Sequence, residues 1–382
     1  MRVLHVVNSY YPAIYFGGPI FSVKALVDCL ALYDDISIHV STTDSAGQTR
    51  KERLEAKSLL SPKNYSIIYH KKSLGRGFSW RQLLNLPRDV AKSDIVHITS
   101  TYNVSTLCAA AFSKILRKPV VWSPRGTVQA TVQWKEANLR WLKRVYQKIF
   151  LACLPHRTII HTTSDEETLA TRSVFSKFSY TQFSNGVDIP NLQVNARRDP
   201  YSLLFLSRLT EKKGVFKLLE IMQKLPEPYH LNLYGAGSAE FESNLKRMIA
   251  EDGLEDRIKI CGVVGGEEKN LVYQKASLFV LPSFTENFGN VIAEALANSL
   301  PVITTKGTPW EGLEEHDCGR WLENDPALFA KAIVSYSAED LKASGERGRS
   351  WMIEKFTWEK RGAELYNAYQ KVSSRSFKGS TL

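Results

Sequence analysis

Residues 277–310 read SLFVLPSFTENFGNVIAEALANSLPVITTKGTPW, and this stretch decides the fold of the second half of the chain. Its apolar start predicts a buried strand, VIAEALANS predicts a helix, and PVITT predicts a second strand. This order is typical of an open α/β sheet, in which ligands bind beyond the carboxyl ends of the strands. We therefore expect a small molecule to bind at the loop formed by residues 282–290.

Two glutamates, Glu286 and Glu294, stand eight residues apart across that strand-to-helix turn. Gly289 lets the backbone approach a ligand closely, and the N–H groups at a helix start favour phosphate oxygens. Phosphate repels carboxylates, so the glutamates are expected to bind sugar or ribose hydroxyls. The alternative is that Glu286 caps the helix and Glu294 is solvated. The apolar residues around Glu294 favour the first interpretation, which predicts a nucleotide-sugar site.

Strand and helix patterns alternate along both halves of the chain, as in doubly wound domains. In the first half the predicted strands are RVLHVV, ISIHVST, SIIYH, DIVHIT, PVVWS and TIIHTT, with helices at about 19–32, 78–91, 104–116 and 137–154. In the second half they are SLLFLS, HLNLYG, RIKICG, SLFVLP and PVITT, with helices at about 214–225, 238–251, 267–275 and 289–299. Residues 189–200 are polar, contain two prolines and predict a linker.

At 382 residues the chain is long enough for two domains that each bury a core. Five cysteines are dispersed without Cys-x-x-Cys spacing, which favours reduced thiols. The N-terminus lacks the features of a signal peptide, and no run approaches the roughly 20 apolar residues of a spanning helix. We therefore expect a cytoplasmic protein.

The positive charge is concentrated in the first half of the chain. Residues 1–190 contain 25 Lys and Arg against 13 Asp and Glu, a net charge of +12, whereas residues 191–382 contain 25 against 26, a net charge of −1. Nucleic acid, an anionic membrane or an acidic substrate would each fit such a patch. The segment 133–157 interleaves Trp134, Trp141, Tyr146, Phe150 and Leu154 with Lys135, Arg140, Lys143, Arg144 and Lys148. This pattern fits a helix at a membrane interface, and equally a helix packed on its own domain with a solvated basic face.

Several motifs together resemble those of retaining glycosyltransferases of family 4. The most specific is PSFTENFGNVIAEALANSLPVITTKGTPW at 282–310. Others follow in the order of that family: Gly17-Gly18 after the first strand, SPRG at 123–126, NGVD at 185–188, and Arg208-Leu209 before Lys213-Gly214. The resemblance covers nearly the whole chain. It departs from the family pattern at Asn298-Ser299, where a glycine is common.

The resemblance implies the GT-B fold, with two doubly wound Rossmann-like domains facing across a deep cleft. Residues 1–190, completed by a C-terminal helix at 358–382, would bind the acceptor, and residues 191–357 would bind the nucleotide sugar. The implied reaction moves a hexosyl group from a UDP- or GDP-sugar to a glycan hydroxyl with retention of configuration. By analogy, the glycan would be polyprenyl-linked, in bacterial surface polysaccharide synthesis such as that of O-antigen, and the enzyme would touch the anionic inner membrane from the cytoplasm.

The resemblance also assigns roles to residues. Arg208 and Lys213 would contact the donor pyrophosphate and stabilise the departing charge, and with Glu286 they are the predicted catalytic residues. The remaining donor-side residues are the sugar-contacting Asn287, Phe288 and Gly289, the ribose-contacting Glu294, Val263 in the loop that influences the choice of base, and Gly17 and Gly18, which would close over the diphosphate.

On the acceptor side the resemblance favours His97 and Arg125, which lie at predicted carboxyl ends of strands. His161 is placed similarly, and Asn185 is predicted to lie in a tight turn. For both histidines a structural role is favoured, since strands of a parallel sheet are buried and an imidazole can hydrogen-bond locally.

The sequence contains no Asp-x-Asp triplet and no Cys/His cluster with zinc spacing. We therefore expect a reaction that needs no metal or other cofactor. Two alternatives stay open. A nicotinamide-dependent oxidoreductase would carry GxGxxG in its first βα turn, where this chain has FGGPIFS. A basic membrane- or nucleic-acid-binding protein without catalysis would explain the charge, but not the residues of the second half.

Overall fold

The computed structural model describes residues 1–13, 15, 17–47, 51–55, 64–74, 77–128, 140–193 and 198–374. Four sequence predictions extend outside these ranges: the start of the helix at 137–154, the basic segment around Trp134 and Lys135, part of the linker at 189–200, and the C-terminal residues 375–382. Contacts divide the chain into two units, residues 1–185 with 358–382 and residues 186–357. Each unit is an α/β domain with its own sheet.

The first unit is built on seven parallel strands in the order β3-β2-β1-β4-β5-β6-β7. The strands are β1 (Arg2–Ser9), β2 (Ser37–Thr43), β3 (Ser66–His70), β4 (Ile95–Thr99), β5 (Val120–Ser123), β6 (Thr158–Thr162) and β7 (Ser179–Gln182). The helices are α1 (Gly18–Leu30), α2 (Trp80–Lys92), α3 (Val104–Ile115), α4 (Arg140–Cys153) and α5 (Asp165–Phe175), and the C-terminal helix joins them. Since the order runs outward in both directions from β1, the sheet is doubly wound.

The second unit is built on six parallel strands in the order β10-β9-β8-β11-β12-β13. The strands are β8 (Ser202–Leu206), β9 (His230–Tyr234), β10 (Ile258–Gly262), β11 (Leu278–Leu281), β12 (Val302–Thr305) and β13 (Gly319–Leu322). The helices are α6 (Val215–Lys224), α7 (Ala239–Glu251), α8 (Gly266–Lys275), α9 (Asn290–Ala297), α10 (Gly312–Glu315), α11 (Pro326–Val334) and α12 (Ala338–Lys355). The C-terminal helix of the chain is α13 (Trp358–Ser373).

Helix α13 is part of the first unit's core. Leu365, Tyr369 and Val372 are fully buried and pack with residues of β1 and α1. Arg157 holds the end of α13, because its Nη2 donates to the carbonyl oxygens of Val372, Ser373 and Ser374 over 2.7, 2.7 and 2.9 Å. A guanidinium that satisfies the last carbonyls of a helix stabilises its C-terminus.

The strands at the centre of the second sheet are buried along their whole length. All residues of β8, β11 and β12 are buried, as expected for parallel strands covered by helices on both faces. These three strands therefore carry no charged side chain, and the charges near them lie in the loops beyond their ends. In a parallel sheet the loops at the carboxyl ends share one edge, which is where the candidate site lies.

The predicted fold class is confirmed, since two parallel sheets are each covered by helices. Every predicted strand and helix is found among the described residues, but the sequence patterns missed β7, β13 and the helices α5, α10, α11 and α12. The two missed strands, SYTQ and GRWL, are four-residue edge strands. Such short segments are too mixed in polarity to show the alternation that predicts a strand.

Candidate functional site

The loops that follow β8 and β11 meet at the carboxyl edge of the second sheet. The Phe284 amide donates to the Lys212 carbonyl oxygen over 3.0 Å, and the Ser283 hydroxyl donates to the same oxygen over 3.2 Å. Gly214 allows this approach: its φ is +73°, and a Cβ there would lie 2.0 Å from the Pro282 carbonyl oxygen. Since no other side chain fits at that distance, glycine is required where the loops meet.

This contact brings Lys213 against Glu286. The Lys213 ammonium donates to Glu286 Oε1, and the two side chains keep only 12% and 10% of their surface exposed. The Glu286 amide in turn donates to the Gly307 carbonyl oxygen over 3.0 Å, so the loop is also held from the side of β12. Two of the three predicted catalytic residues therefore form a nearly buried ion pair.

Three cations and one carboxylate share this part of the site. Arg208, the third predicted catalytic residue, is exposed just beyond β8. Burial lowers the pKa of Lys212; Glu286 opposes that shift, and Lys213 and Arg208 add to it. The excess of positive charge suits an anionic ligand, and a guanidinium beside ammonium groups suits a diphosphate in particular.

The loop after β9 fixes the backbone on both sides of Arg208. The Leu209 amide donates to the Ala236 carbonyl oxygen over 2.9 Å, and a Cβ at Gly235 would lie 1.8 Å from the Ser207 carbonyl oxygen. The sequence analysis missed this YGAG loop. Two glycines directly after a predicted strand were the signal that could have found it.

Gly289 begins α9 in the left-handed region, with φ +82°. A Cβ there would lie 3.2 Å from Ile292 Cδ1 and 3.5 Å from Trp310 Nε1. The Trp310 indole donates to the Phe288 carbonyl oxygen, and the two rings pack with centroids 5.1 Å apart. The Phe288 side chain thus belongs to the core and its carbonyl oxygen is engaged by Trp310, while the neighbouring Asn287 is half-buried.

Four helices begin at a glycine instead of a capping side chain. Within the part of the chain that the structure describes, the N-caps Gly17 of α1, Gly214 of α6, Gly265 of α8 and Gly289 of α9 have no side-chain cap hydrogen bond. Ser, Asn or Asp side chains cap α2, α3, α5, α7, α11 and α12. A glycine cap leaves the first N–H groups accessible to a ligand anion.

Glu294 on α9 is held by two residues of α8. Its Oε2 accepts a hydrogen bond from the Tyr273 hydroxyl over 2.9 Å and pairs with Lys269 Nζ over 2.6 Å. Burial, with Glu294 as the next cause, raises the pKa of Tyr273 well above its usual value, so the hydroxyl is a donor. Sequence reasoning missed both partners, and their spacing on one helix face was the signal available.

Val263 lies in the exposed loop that follows β10, the outermost strand on one side of the second sheet. Its side chain is 73% exposed, directly after the edge strand β10. The loop's glycines Gly262, Gly265 and Gly266 are exposed, and a Cβ at each of them would meet nothing within 4 Å. Its predicted contact with a base stays a prediction.

Gly17 and Gly18 start α1 directly after the β1 loop. Gly17 has φ +75°, and a Cβ there would meet nothing within 4 Å. Glycine is thus needed for its backbone conformation and not for lack of space. The predicted contact of this pair with a diphosphate stays a prediction.

His97 is part of a buried hydrogen-bond chain that links the first sheet to α13. Its Nδ1 pairs with the Tyr369 hydroxyl over 2.6 Å and its Nε2 with Ser123 Oγ over 2.8 Å, and Ser123 also pairs with His161 Nδ1 over 2.9 Å. His5 stacks on His97 with ring centroids 4.3 Å apart. Burial, followed by the neighbouring histidines and Arg125, holds the pKa of His97 well below its usual value.

Both ring nitrogens of His161 are also engaged, since Nε2 pairs with the Phe183 carbonyl oxygen over 3.1 Å. The buried chain accounts for His97 and His161 as neutral structural residues, which is the role that the sequence favoured. An acceptor contact by His97 stays a prediction.

Arg125 lies at the carboxyl end of β5 with φ +55° and donates to Asn185 Oδ1. Burial lowers the pKa of Arg125 to about 10, although Glu167 and Tyr369 oppose that shift. Its Nε is buried and has no hydrogen-bond partner among the described residues. Glu167 accepts hydrogen bonds from Thr163, so a guanidinium and a carboxylate are both enclosed here.

Two general features of the described ranges bear on the chemistry. Within them, no cluster of three or more His, Cys, Asp or Glu is arranged to hold a metal ion. In the same ranges, every helix is too short or too polar to cross a membrane.

Comparison with known proteins adds to this geometry. Residues 191–351 match the family described as glycosyl transferases group 1. An amylovoran biosynthesis glycosyltransferase of Erwinia amylovora is 31% identical over 37% of each chain. The GDP-mannose:cellobiosyl-diphosphopolyprenol alpha-mannosyltransferase of Xanthomonas oryzae pv. oryzae is 24% identical over 80% of this chain and 78% of that enzyme. The chain spans 37–54% of the length of five curated relatives, one of which is the Erwinia protein.

A likeness to solved structures extends over both units. The structure of Anabaena HepE in complex with UDP has a TM-score of 0.74 and 16% sequence identity, and the match covers 97% of this chain and 100% of that one. At this identity the likeness establishes the fold.

Proposed function

We propose that the chain, whose residues 191–351 match the glycosyl transferases group 1 family, is a retaining hexosyltransferase. It would move a hexosyl group from a nucleoside diphosphate sugar to a hydroxyl of a glycan. The observation that carries the proposal is the cluster of Arg208, Lys212 and Lys213 around Glu286, at loops joined by glycine. The oxidoreductase and the noncatalytic basic protein are not favoured, since neither explains this cluster.

The donor site uses the carboxyl edge of the second sheet. Arg208 and Lys213 bind the pyrophosphate together with the start of α9, and Glu294 binds the ribose hydroxyls. The glycine start of α9 supports this assignment, because its N–H groups are not used by a capping side chain in the described region. HepE was crystallised with UDP and the Xanthomonas enzyme is named for GDP-mannose, which supports a uridine or guanosine donor.

The chemistry follows from the charge that develops as the diphosphate leaves. Arg208 and Lys213 stabilise that charge, which is the largest contribution a preorganised site makes. A leaving phosphate oxygen accepts the proton of the incoming hydroxyl on the same face of the sugar, so configuration is retained and no side chain acts as base. Glu286 positions the sugar instead of forming a covalent bond to it, as its pairing with Lys213 supports. The positive cluster replaces a metal.

The acceptor is a glycan on a polyprenyl lipid, used in bacterial surface polysaccharide synthesis. Relatives named for amylovoran and lipopolysaccharide core biosynthesis support the pathway class, and the Xanthomonas enzyme is named for a diphosphopolyprenol acceptor. The first unit would bind this acceptor, with Arg125 as its candidate contact. The protein would act in the cytoplasm, in contact with the anionic surface of the inner membrane.

Thermal unfolding with UDP, GDP, ADP, NAD and the corresponding sugar nucleotides, without metal, tests the donor site. A ligand that binds only the folded state raises the melting temperature. We expect a rise with one nucleotide family that Arg208→Ala abolishes. The matched control is Arg247→Ala, which removes an exposed arginine of α7 and should keep the rise. A rise with NAD alone, or none with any nucleotide, would contradict the proposal.

Two product assays test the finer points. The anomeric proton signal of the product, read by NMR, should match the configuration of the donor, and inversion would rule out the mechanism above. Turnover should persist in excess EDTA. Loss of turnover that Mg²⁺ restores would show that a metal is needed after all.

A further inference from the structure

The carboxylate of Glu294 is held by the protein through one oxygen. Its Oε2 accepts a hydrogen bond from the Tyr273 hydroxyl over 2.9 Å and pairs with Lys269 Nζ over 2.6 Å. A carboxylate oxygen has two lone-pair sites, so these two donors occupy Oε2. Within the described ranges no donor contacts Oε1, and the Glu294 side chain keeps 30% of its surface exposed. The oxygen Oε1 is therefore left for a ligand.

The Tyr273 contact distinguishes this arrangement from an ordinary surface ion pair. An exposed lysine and glutamate exchange partners at little cost, so such a pair alone would indicate nothing about a site. The Tyr273 ring, however, is 0% exposed and packs against Phe279 with ring centroids 5.9 Å apart. A hydroxyl carried by a buried ring is a fixed donor, and it holds the carboxylate in one orientation.

A second set of polar contacts fixes α8 against α9. Gln274 and Asn298 are 3% and 1% exposed, and Gln274 Nε2 donates to Asn298 Oδ1 over 2.9 Å. Asn298 Nδ2 donates in turn to the Glu294 carbonyl oxygen over 2.9 Å. Because these buried amides hold the two helices together, the partners that α8 supplies to the Glu294 carboxylate stay in place.

The position of Glu294 on α9 brings its charge close to the donor phosphates. Glu294 follows the N-cap Gly289 by five residues, which is about 7.5 Å along the helix axis at the usual rise per residue. A diphosphate at the start of α9 would therefore lie within a Debye length of this carboxylate, where their repulsion is not screened. The Lys269 ammonium offsets the negative charge of Glu294 at this point.

We propose that Lys269 and Tyr273 are positioning residues that make the donor site selective for ribonucleoside diphosphates. Tyr273 turns Glu294 so that Oε1 meets the 2′- and 3′-hydroxyls of the ribose, and Lys269 neutralises the carboxylate so that it does not repel the diphosphate. A site built to hydrogen-bond a hydroxyl rejects the analogue that lacks it. The inference rests on the proposed function, in which Glu294 binds the ribose.

Calorimetric titration of the full chain tests this, with UDP and GDP and with the 2′,3′-dideoxy analogue of each. Wild type should bind one ribonucleotide at least about ten-fold more tightly than its dideoxy analogue. Tyr273→Phe removes only the hydroxyl and should weaken binding of that ribonucleotide about ten-fold, the effect of one hydrogen bond to a charged group. Its affinity for the dideoxy analogue should not change, which also shows that the fold survives.

Tyr336→Phe is the matched control for this substitution. The Tyr336 hydroxyl is buried and has no hydrogen-bond partner among the described residues, and its ring lies under Arg320. The control removes the same atom away from Glu294 and should keep both affinities. If Tyr273→Phe binds the ribonucleotide like wild type, or loses affinity for both ligands equally, the positioning role of Tyr273 is overturned.

The role of Lys269 is tested by its charge. Lys269→Gln should weaken binding of the ribonucleotide and of the dideoxy analogue alike, about five-fold, because repulsion between a carboxylate and a phosphate requires no hydroxyl. Added salt should reduce this loss. Lys275→Gln removes an exposed lysine at the end of the same helix and should bind both ligands like wild type. Equal binding by the two lysine variants would overturn the neutralising role.

Turnover and nucleotide affinity separate this proposal from the proposed function. Tyr273→Phe should raise KM for the donor sugar about ten-fold and keep kcat within about two-fold, because the reacting groups are not touched. A large fall in kcat with KM unchanged would overturn the positioning role. Wild type that binds a ribonucleotide and its dideoxy analogue equally would overturn this proposal alone, whereas wild type that binds neither UDP nor GDP would overturn the donor site as well.

Discussion

The two sheets differ in where their polar side chains stand along the strands. In the first unit His5 and His97 stand inside neighbouring strands, paired in register, and are 2% and 0% exposed. In the second unit the central strands β8, β11 and β12 carry no charged side chain, and Arg208, Lys213 and Glu286 stand in the loops beyond them. The first set is neutral and enclosed by its own neighbours, while the second is charged and keeps an excess of cations.

This difference separates polar groups that hold a fold together from polar groups that serve a ligand. Both ring nitrogens of His97 find hydrogen-bond partners inside the unit, Tyr369 and Ser123, so this ring needs no solvent contact. A charge at the end of a strand can exchange its partner for a ligand without crossing the core. Whether a polar residue stands inside a strand or in the loop beyond its end is thus a better guide to function than its residue type.

The largest effect is expected at the charged loop. Glu286→Gln keeps the shape but loses the charge that holds Lys213, so we expect transferase turnover to fall about 10²- to 10³-fold, the usual cost of losing one preorganised electrostatic contact. Turnover with saturating donor measures it. Glu220→Gln is the control, because Glu220 forms an exposed pair with Lys217 on α6. Equal activity of both variants would show that the charge of Glu286, like the buried histidines of the first unit, supports the fold and not the reaction.

A smaller effect is expected where the loops are joined. Gly214→Ala puts a methyl group 2.0 Å from the Pro282 carbonyl oxygen at φ +73°. We expect it to destabilise the protein by about 3 kcal/mol through combined strain and clash. Gly253→Ala is the control, since its φ is +64° but a Cβ there meets nothing. It should cost about 1 kcal/mol. Urea unfolding compares the two, and equal losses would mean that the loops do not need the close contact.

The histidine chain should make the protein sensitive to acid. Burial, followed by Arg125, lowers the pKa of His5 to about 3, so the folded state keeps the ring neutral while the unfolded state takes up a proton below about pH 6.5. Stability is therefore full above that pH and falls as the pH drops towards the folded pKa. His5→Gln should reduce the loss between about pH 7 and pH 5 by about 2 kcal/mol.

The measurement is the free energy of unfolding at several pH values. His156→Gln, which removes an exposed histidine instead, is the control. An unchanged slope in His5→Gln would mean that the buried ring titrates like a solvated one, and the contrast between the two sheets would then fail.

The smallest effect is expected at the departure from the family pattern. Ser299 has φ +57°, the conformation that favours the glycine common there, and its Oγ is buried without a hydrogen-bond partner among the described residues. Ser299→Gly should raise stability by about 1 kcal/mol. Ser335→Gly, at an ordinary φ of −72°, should lower it slightly instead. A fall in melting temperature for both would mean that Ser299 is not strained.

Much of the second unit's site could be predicted from local sequence. Periodicity predicts the strand, loop and helix around Glu286, and the glycines indicate where the backbone of one loop approaches another group closely. Lys269 and Tyr273 could not be assigned to Glu294, because they stand on a different helix, 25 and 21 residues earlier in the chain, and their shared helix face does not show which residue they contact. For the same reason the sequence could not predict the pairing of His97 with Tyr369, which are 272 residues apart.

The sequence of α4 shows most clearly what pattern alone leaves undecided. Its periodicity predicted an amphipathic helix, and the helix is there. Two apolar stripes fit that periodicity, and only packing against the sheet decides that Phe150 is inside and that Ile149 remains exposed.

By itself the sequence determined the alternation of strands and helices, the fold class, the uneven charge and the residues of the β11 loop, because these depend on local periodicity, backbone preference and composition. The tertiary structure decided which charges pair, which histidines are buried and which face of α4 stays exposed. Those outcomes depend on residues distant in the chain that share one sheet edge or one core, and burial then sets their ionisation and their access to a ligand.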